Sequence, residues 1–277
     1  MALLEVGGLR VSYPGPDRQP VEVVHGIDLS VERGQRLAVV GESGSGKSVT
    51  ARSILRLDPD ASVEGSIRLG GDEITAMSRR RLRAVRGARA GLVFQDPLAA
   101  LNPVMRVGWQ IMQPLVIRGV DRRQARRRGI DLLARLGVDD AEQRFDDYPH
   151  QFSGGMRQRV VIAIAVIADP ELLIADEPTT ALDVQVQTQV LRLLDELARE
   201  RDMAVVLISH DLGIVAGFAD AMVVMRNGRV VERGMVDDVY ANPQAEYTRG
   251  LLGAVPRLDC DPDVELATVA PERGLPT

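Results

Sequence analysis

The eight residues Gly41-Glu42-Ser43-Gly44-Ser45-Gly46-Lys47-Ser48 constrain this chain more than any others. They follow an apolar run, Leu37-Ala38-Val39-Val40, and open a stretch of helical character, Val49-Thr50-Ala51-Arg52-Ser53-Ile54-Leu55. The pattern G-x-x-x-x-G-K-[ST] between a strand and a helix specifies an α/β fold with a phosphate-binding turn at the sheet edge. Its glycines allow consecutive backbone N–H groups to turn inward on phosphate oxygens, and the helix start adds the positive end of its dipole. Lys47 is placed to reach the β- and γ-phosphates of a nucleotide, and the Ser48 hydroxyl to hold Mg²⁺. Gly41 through Val49 are the candidate nucleotide-contacting residues.

Of the 34 Lys and Arg side chains, Lys47 is the only lysine. A compact ammonium fits between phosphate oxygens where a planar guanidinium has the wrong shape. The one lysine therefore stands where the phosphate loop requires it.

At 277 residues the chain can bury a substantial core. Apolar residues make up 45% and charged residues 26%, the balance of a globular protein. The net charge of −5 argues against a general nucleic-acid binder. The arginine clusters Arg79-Arg80-Arg81 and Arg122-Arg123, with Arg126-Arg127-Arg128, read as solvated faces of amphipathic helices. No apolar run approaches the ~18 residues of a membrane helix, the N-terminus has no signal-peptide pattern, and Cys260 is the only cysteine. These features lead to the expectation of a cytoplasmic location.

Residues 3–13 and 21–33 alternate as β-strands. Short apolar strands are expected at 37–40, 66–69, 91–94, 172–175, 204–208 and 222–225. From about 98 to 165 the periodicity is helical, which predicts a helical subdomain inserted into the core. Helices are also expected at 154–168, 184–200 and 211–218, with one helical piece after residue 235 and a frayed tail at 257–277. Strands alternating with helices imply a mostly parallel, doubly wound sheet.

Two further stretches carry chemistry. Leu172-Leu173-Ile174-Ala175 runs into Asp176-Glu177, delivering carboxylates at a strand's C-terminal end, where open α/β sheets place ligands. Asp176 suits Mg²⁺ coordination, and Glu177 suits polarising an attacking water. Ser153-Gly154-Gly155-Met156 opens a helix and makes a second anion-binding turn. One chain rarely needs two such turns unless the second serves a neighbour's nucleotide.

The phosphate loop, Gln95, Ser153-Gly154-Gly155, Asp176-Glu177, Ala181-Leu182-Asp183 and His210 stand in the order of ABC-transporter nucleotide-binding domains, and the chain resembles that family over about residues 3–256. Phe94-Gln95-Asp96-Pro97, Tyr148-Pro149-His150-Gln151 and Tyr247-Thr248 most resemble the ATPase subunits of oligopeptide, dipeptide and nickel importers. The resemblance implies ATP hydrolysis in a head-to-tail pair of such domains, with Ser153 to Met156 acting on the neighbour's ATP and Asp183 at the dimer seam. It places Gln95 on the Mg²⁺ or the water, His210 on the γ-phosphate and Tyr13 against adenine. It also implies a second ATPase subunit, commonly a different chain, two membrane permease subunits, an extracytoplasmic solute-binding protein, and a peripheral position on the cytoplasmic membrane face. It implies peptide import first, with nickel or another small solute as the alternative cargo, and a soluble ABC ATPase acting on nucleic acid or ribosomes is the rival class. Phe152 and Met156 stand where many ABC domains carry Leu and Gln. With one cysteine, the C-terminal iron–sulfur centre reported in many peptide-importer ATPases is not expected.

The lone lysine allows a direct test. An amine-directed acylating reagent can modify Lys47 and a free α-amino group only. Saturating MgATP should sharply suppress labelling of the Lys47 peptide by keeping the ammonium charged, with the α-amino signal as an internal control. Mass spectrometry showing unchanged Lys47 labelling would refute the assignment of this loop.

Overall fold

The computed structural model describes residues 2–17, 19–179 and 184–254. Asp183, Cys260 and the segment 257–277 lie outside the described residues. The chain begins with β1 (Leu4–Pro14), β2 (Pro20–Val31), β3 (Arg36–Val40), α1 (Lys47–Ile54), β4 (Ser62–Leu69), β5 (Asp72–Glu73), α2 (Arg79–Val85) and β6 (Ala90–Val93). A helical stretch follows: α3 (Pro97–Ala100), α4 (Val107–Ile117), α5 (Arg122–Arg135), α6 (Ala141–Arg144), a 3₁₀ turn at Pro149–Gln151 and α7 (Gly154–Val166). It ends with β7 (Leu172–Asp176), α8 (Val184–Arg201), β8 (Ala204–Ser209), α9 (Leu212–Phe218), β9 (Ala221–Arg226), β10 (Arg229–Met235), α10 (Val236–Ala241) and α11 (Glu246–Gly253).

Two sheets carry the fold. One is antiparallel, in the order β2-β1-β4-β5. The other, β10-β9-β3-β8-β7-β6, is parallel except for β10, which pairs antiparallel with β9. Every residue of β7 and β8 is buried, as expected of parallel strands covered on both faces. The period of two along each strand divides the core. Leu173, Ala175, Val205 and Leu207 face a cluster built with α4, α5, α7 and α8. Leu172, Ile174, Val206 and Ile208 face the antiparallel sheet and α1. A third cluster joins Ala38 and Val40 of β3 to α9, α10 and Tyr247 of α11. Arg36 ties β3 to its neighbours by ion pairs to Asp195 on α8 and to Asp220 at 2.5 Å.

The expected strands and helices are present, with four differences. The strand expected at 66–69 begins at Ser62, two helices follow Met235 rather than one, and neither the two-residue β5 nor β10 was expected. β10 is an edge strand whose burial alternates only weakly, so it has no continuous apolar run to betray it. Its signal is Asn227-Gly228, with φ of 47° and 71°, the paired left-handed conformation of a tight hairpin.

The Glu73 carboxylate accepts from Ser66 Oγ at 2.6 Å, Thr75 Oγ1 at 2.5 Å, the Ile67 N–H at 2.9 Å and Arg68 Nε at 3.3 Å. Burial opposes its charge, but these donors outweigh burial and hold the pKa at about 2 rather than 4.5. A depressed carboxyl stabilises the fold above its unfolded pKa and loses that contribution as pH falls towards its folded value. In urea unfolding, the advantage of the wild type over Glu73→Gln should be full near neutral pH and shrink as pH falls from 4.5 to about 2. A constant advantage would count against this role.

Candidate functional site

The phosphate loop joins β3 to α1. Gly46 adopts φ 97° and precedes α1, whose first helical backbone bond is Thr50 N–H to Gly46 O at 2.9 Å. The amides of Lys47, Ser48 and Val49 come before that bond, at the positive end of the helix, where N–H groups have no helical acceptor. Glu42, Ser43 and Gly44 are exposed, whereas Gly41, Ser45, Gly46 and Lys47 are buried. The Lys47 ammonium, in a side chain only 5% exposed, donates to Gly41 O at 2.8 Å, Glu42 O at 2.7 Å and Ser45 Oγ at 3.3 Å. Burial lowers its pKa, and Glu177, Asp176 and Glu42 oppose that shift.

Gly41 is irreplaceable on geometric grounds. Its φ is +148°, and a Cβ there would lie 2.1 Å from the carbonyl oxygen of Met225 on β9. The loop is also held from outside. The Gly228 N–H donates to Ser45 O at 3.0 Å, the His25 N–H donates to Gly228 O at 2.9 Å, and the Glu42 N–H donates to Tyr247 Oη at 3.0 Å.

The parallel sheet brings the remaining polar residues to the same edge. Ser48 Oγ donates to Asp176 Oδ1 at 2.8 Å, and Asp176 is buried at the end of β7. Burial raises the Asp176 pKa, the Ser48 hydrogen bond opposes this, and Glu177 adds to it. Glu177, next along the chain, has φ 47° and donates its N–H to Ile208 O at 3.0 Å. A left-handed non-glycine residue is uncommon and is held only where the surroundings over-determine it. Its carboxylate lies between two partners: Gln95 Nε2 donates to Oε2 at 3.0 Å, and His210 Nδ1 lies 3.2 Å from Oε1. Gln95 follows β6, Glu177 follows β7 and His210 follows β8, so three adjacent strands present one constellation.

Not every expected residue joins it. Tyr13 packs against the core under the antiparallel sheet, and its hydroxyl donates to Asp58 Oδ2 at 2.8 Å. Burial and then Asp58 push its pKa up to about 12. Ser153 caps α7 by accepting the Met156 N–H at 3.3 Å, Ser153 and Gly154 are exposed, and nothing lies within 4 Å of a Cβ placed on Gly154. Among the described residues no hydrogen bond joins this turn to the phosphate loop of the same chain. Phe152 is buried in the helical core, and Met156 packs against it. Two supports of the loop carry no site role in the sequence reading: Tyr247, which enters there only through the family resemblance, and Gly228, marked by the Asn-Gly pair.

A phosphate loop after β3, a buried aspartate at the end of β7 two strands over and a glutamate beside it define a phosphate-loop nucleoside triphosphatase. A protein-family model described as ABC transporter matches residues 24–180. The putative peptide import ATP-binding protein of Brucella abortus (strain 2308) is 48% identical over 264 residues, covering 94% of this chain and 79% of the relative. The oligopeptide transport ATP-binding protein OppD of Bacillus subtilis (strain 168) is 43% identical over 271 residues, covering 96% of this chain and 75% of the relative. The dimeric structure of MJ0796, described as a bacterial ABC transporter cassette, superposes with a TM-score of 0.76 at 25% identity, covering 84% of this chain and 98% of that one. The chain belongs to the ABC transporter family, and it is an ATPase. Among the described residues, no helix is long and apolar enough to cross a membrane.

The two exposed-loop and buried-loop glycines should respond differently to alanine. Gly44 has φ +80° but open space around a Cβ, so Gly44→Ala costs only left-handed strain, about 1 kcal/mol. Gly41→Ala must displace β9 or the loop, and should lower both melting temperature and ATP affinity well beyond Gly44→Ala. Calorimetry and nucleotide titration giving the reverse order would contradict the packing described.

Proposed function

We propose that this ATPase drives solute import as one of two paired subunits, with residues 1–256 as the nucleotide-binding domain and the helices at about 98–165 as its inserted arm. The observation that carries the catalytic reading is the Glu177 carboxylate held between Gln95 and His210, beside the Ser48–Asp176 pair. Lys47 and the amides of the loop bind the phosphates. Glu177 orients and polarises the attacking water, Gln95 and His210 hold the Glu177 side chain, Gln95 is assigned to the Mg²⁺ or the water and His210 to the γ-phosphate, and the Tyr13 ring is assigned to adenine. The Ser48 hydroxyl and the Asp176 carboxylate are hard oxygen donors within hydrogen-bonding distance of each other. They fit Mg²⁺, which takes one or two carboxylates together with phosphate oxygens. A cation there also relieves the burial penalty that raises the Asp176 pKa. When bound, Mg²⁺ neutralises phosphate charge.

The exposed turn Ser153 to Met156 is assigned to the ATP of a neighbouring subunit and Asp183 to the seam between the two. The exposure of Ser153 and Gly154, and the dimeric structure of the similar cassette, support this. Peptide is the cargo favoured by the names of the relatives. The partners are a second, different ATPase chain, two permease subunits and, indirectly, a solute-binding protein; nucleic acid is not among them. Exposed Phe94, Leu98, Val104 and Ile117, near Gln95 and on the helical arm, supply an apolar face for the permeases at the cytoplasmic membrane surface.

Glu177→Gln tests the catalytic assignment. MgATP binding should persist while turnover falls about 10²-fold or more, and the ATP-bound dimer should last longer in size-exclusion chromatography. Near-wild-type phosphate release by Glu177→Gln would remove Glu177 from this role.

A further inference from the structure

The carbonyl of Gly41 and the N–H of Glu42 belong to one peptide group, and both are engaged. Gly41 O accepts from Lys47 Nζ at 2.8 Å, and the Glu42 N–H donates to Tyr247 Oη at 3.0 Å. A trans peptide is planar, with its C=O and N–H pointing in opposite directions, so fixing one end aims the other. We propose that Tyr247 is a positioning residue for ATP binding: its hydroxyl sets the Gly41–Glu42 peptide, and through it the direction of the Lys47 ammonium.

The ammonium has three donors. The carbonyls of Gly41 and Glu42 take two at 2.8 and 2.7 Å, and the third makes the longest contact, 3.3 Å, to Ser45 Oγ. That third donor is the one a phosphate oxygen can take over at least cost. Where it points depends on how firmly the two carbonyls are held, and Tyr247 holds the first.

Tyr247 is itself fixed from three sides. Its ring is 6% exposed and packs in the cluster containing Ala38 and Val40 of β3. The Arg226 guanidinium stands over the ring at 4.8 Å from its centroid. The start of α11 lacks a side-chain cap of its own at Ala245, and the Glu232 carboxylate of β10 accepts the N–H groups of Gln244 at 2.7 Å and Ala245 at 3.0 Å. A continuous series of contacts therefore runs from β10 through α11 to the phosphate loop. Packing accounts for the ring; it does not require the hydroxyl to end on the one loop peptide whose other end holds the lysine.

The inference rests on the reading that this loop binds ATP, and the test separates the two. MgATP affinity, the acylation rate of Lys47 without added nucleotide, and the melting temperature are measured for the wild type, Tyr247→Phe and Glu232→Gln. Tyr247→Phe keeps the ring and removes only the acceptor of the Glu42 N–H. It should weaken MgATP binding about three- to tenfold and raise the Lys47 acylation rate, with little change in melting temperature. Glu232→Gln leaves the hydroxyl in place but loosens α11, and should shift both readouts in the same direction by less. If Tyr247→Phe lowers only the melting temperature, with affinity and acylation within about twofold of wild type, Tyr247 is structural and the inference is overturned. If Tyr247→Phe does not fold, wild-type affinity and acylation in Glu232→Gln overturn it equally. A wild type that does not bind MgATP refutes the ATP reading instead.

Discussion

A buried ammonium must be surrounded by oxygen, and the site is arranged around that requirement. Moving an unpaired charge out of water costs several kcal/mol, so Lys47 is met by two loop carbonyls and by the field of Asp176, Glu177 and Glu42. The same burial that disfavours charge on Lys47 disfavours it on Asp176, and each offsets part of the other's penalty. Turning the Gly41 and Glu42 carbonyls inward requires a backbone that only glycine adopts easily at position 41, pressed against Met225 of β9. The loop is thus shaped by the charge it encloses and by the strand behind it.

The parallel sheet makes that arrangement affordable. β6, β7 and β8 are neighbours that all run the same way, so the residues just past their ends, Gln95, Glu177 and His210, converge without any loop having to reach far. Ligands bind at the carboxyl ends of such strands for this reason. The left-handed backbone of Glu177 and its N–H bond to Ile208 O aim the carboxylate across the gap between strands. The Ser153 turn stands apart because α7 belongs to the helical layer on one face of the sheet.

Much of this was legible in the sequence, for physical reasons that also explain what was not. Leu172-Leu173-Ile174-Ala175 and Ala204-Val205-Val206-Leu207-Ile208 are continuous apolar runs because both faces of a parallel strand are buried. The loop motif and the Asp176-Glu177 pair are local patterns, readable from neighbours in the chain. β10 is an edge strand with one weakly covered face, so its composition resembles a loop, and only Asn227-Gly228 marks it. The Tyr13 hydroxyl bond to Asp58 spans 45 positions and the Tyr247 bond to Glu42 spans 205, and no periodicity encodes a pairing of that kind.

The long reach of those last bonds bears on when the site comes into being. The phosphate loop is made early in synthesis, yet its supports arrive late: Gly228 against Ser45 O, and Tyr247 against the Glu42 N–H. Contacts of such separation cannot form until the later segment has been made, and closing the long loop between the partners costs entropy before the contact is gained. A nascent chain that has emerged only as far as β8 holds the nucleotide motif without the braces that shape it. The order of synthesis thus separates the loop from its supports by most of the chain, and the last described helix, α11, carries the last of them.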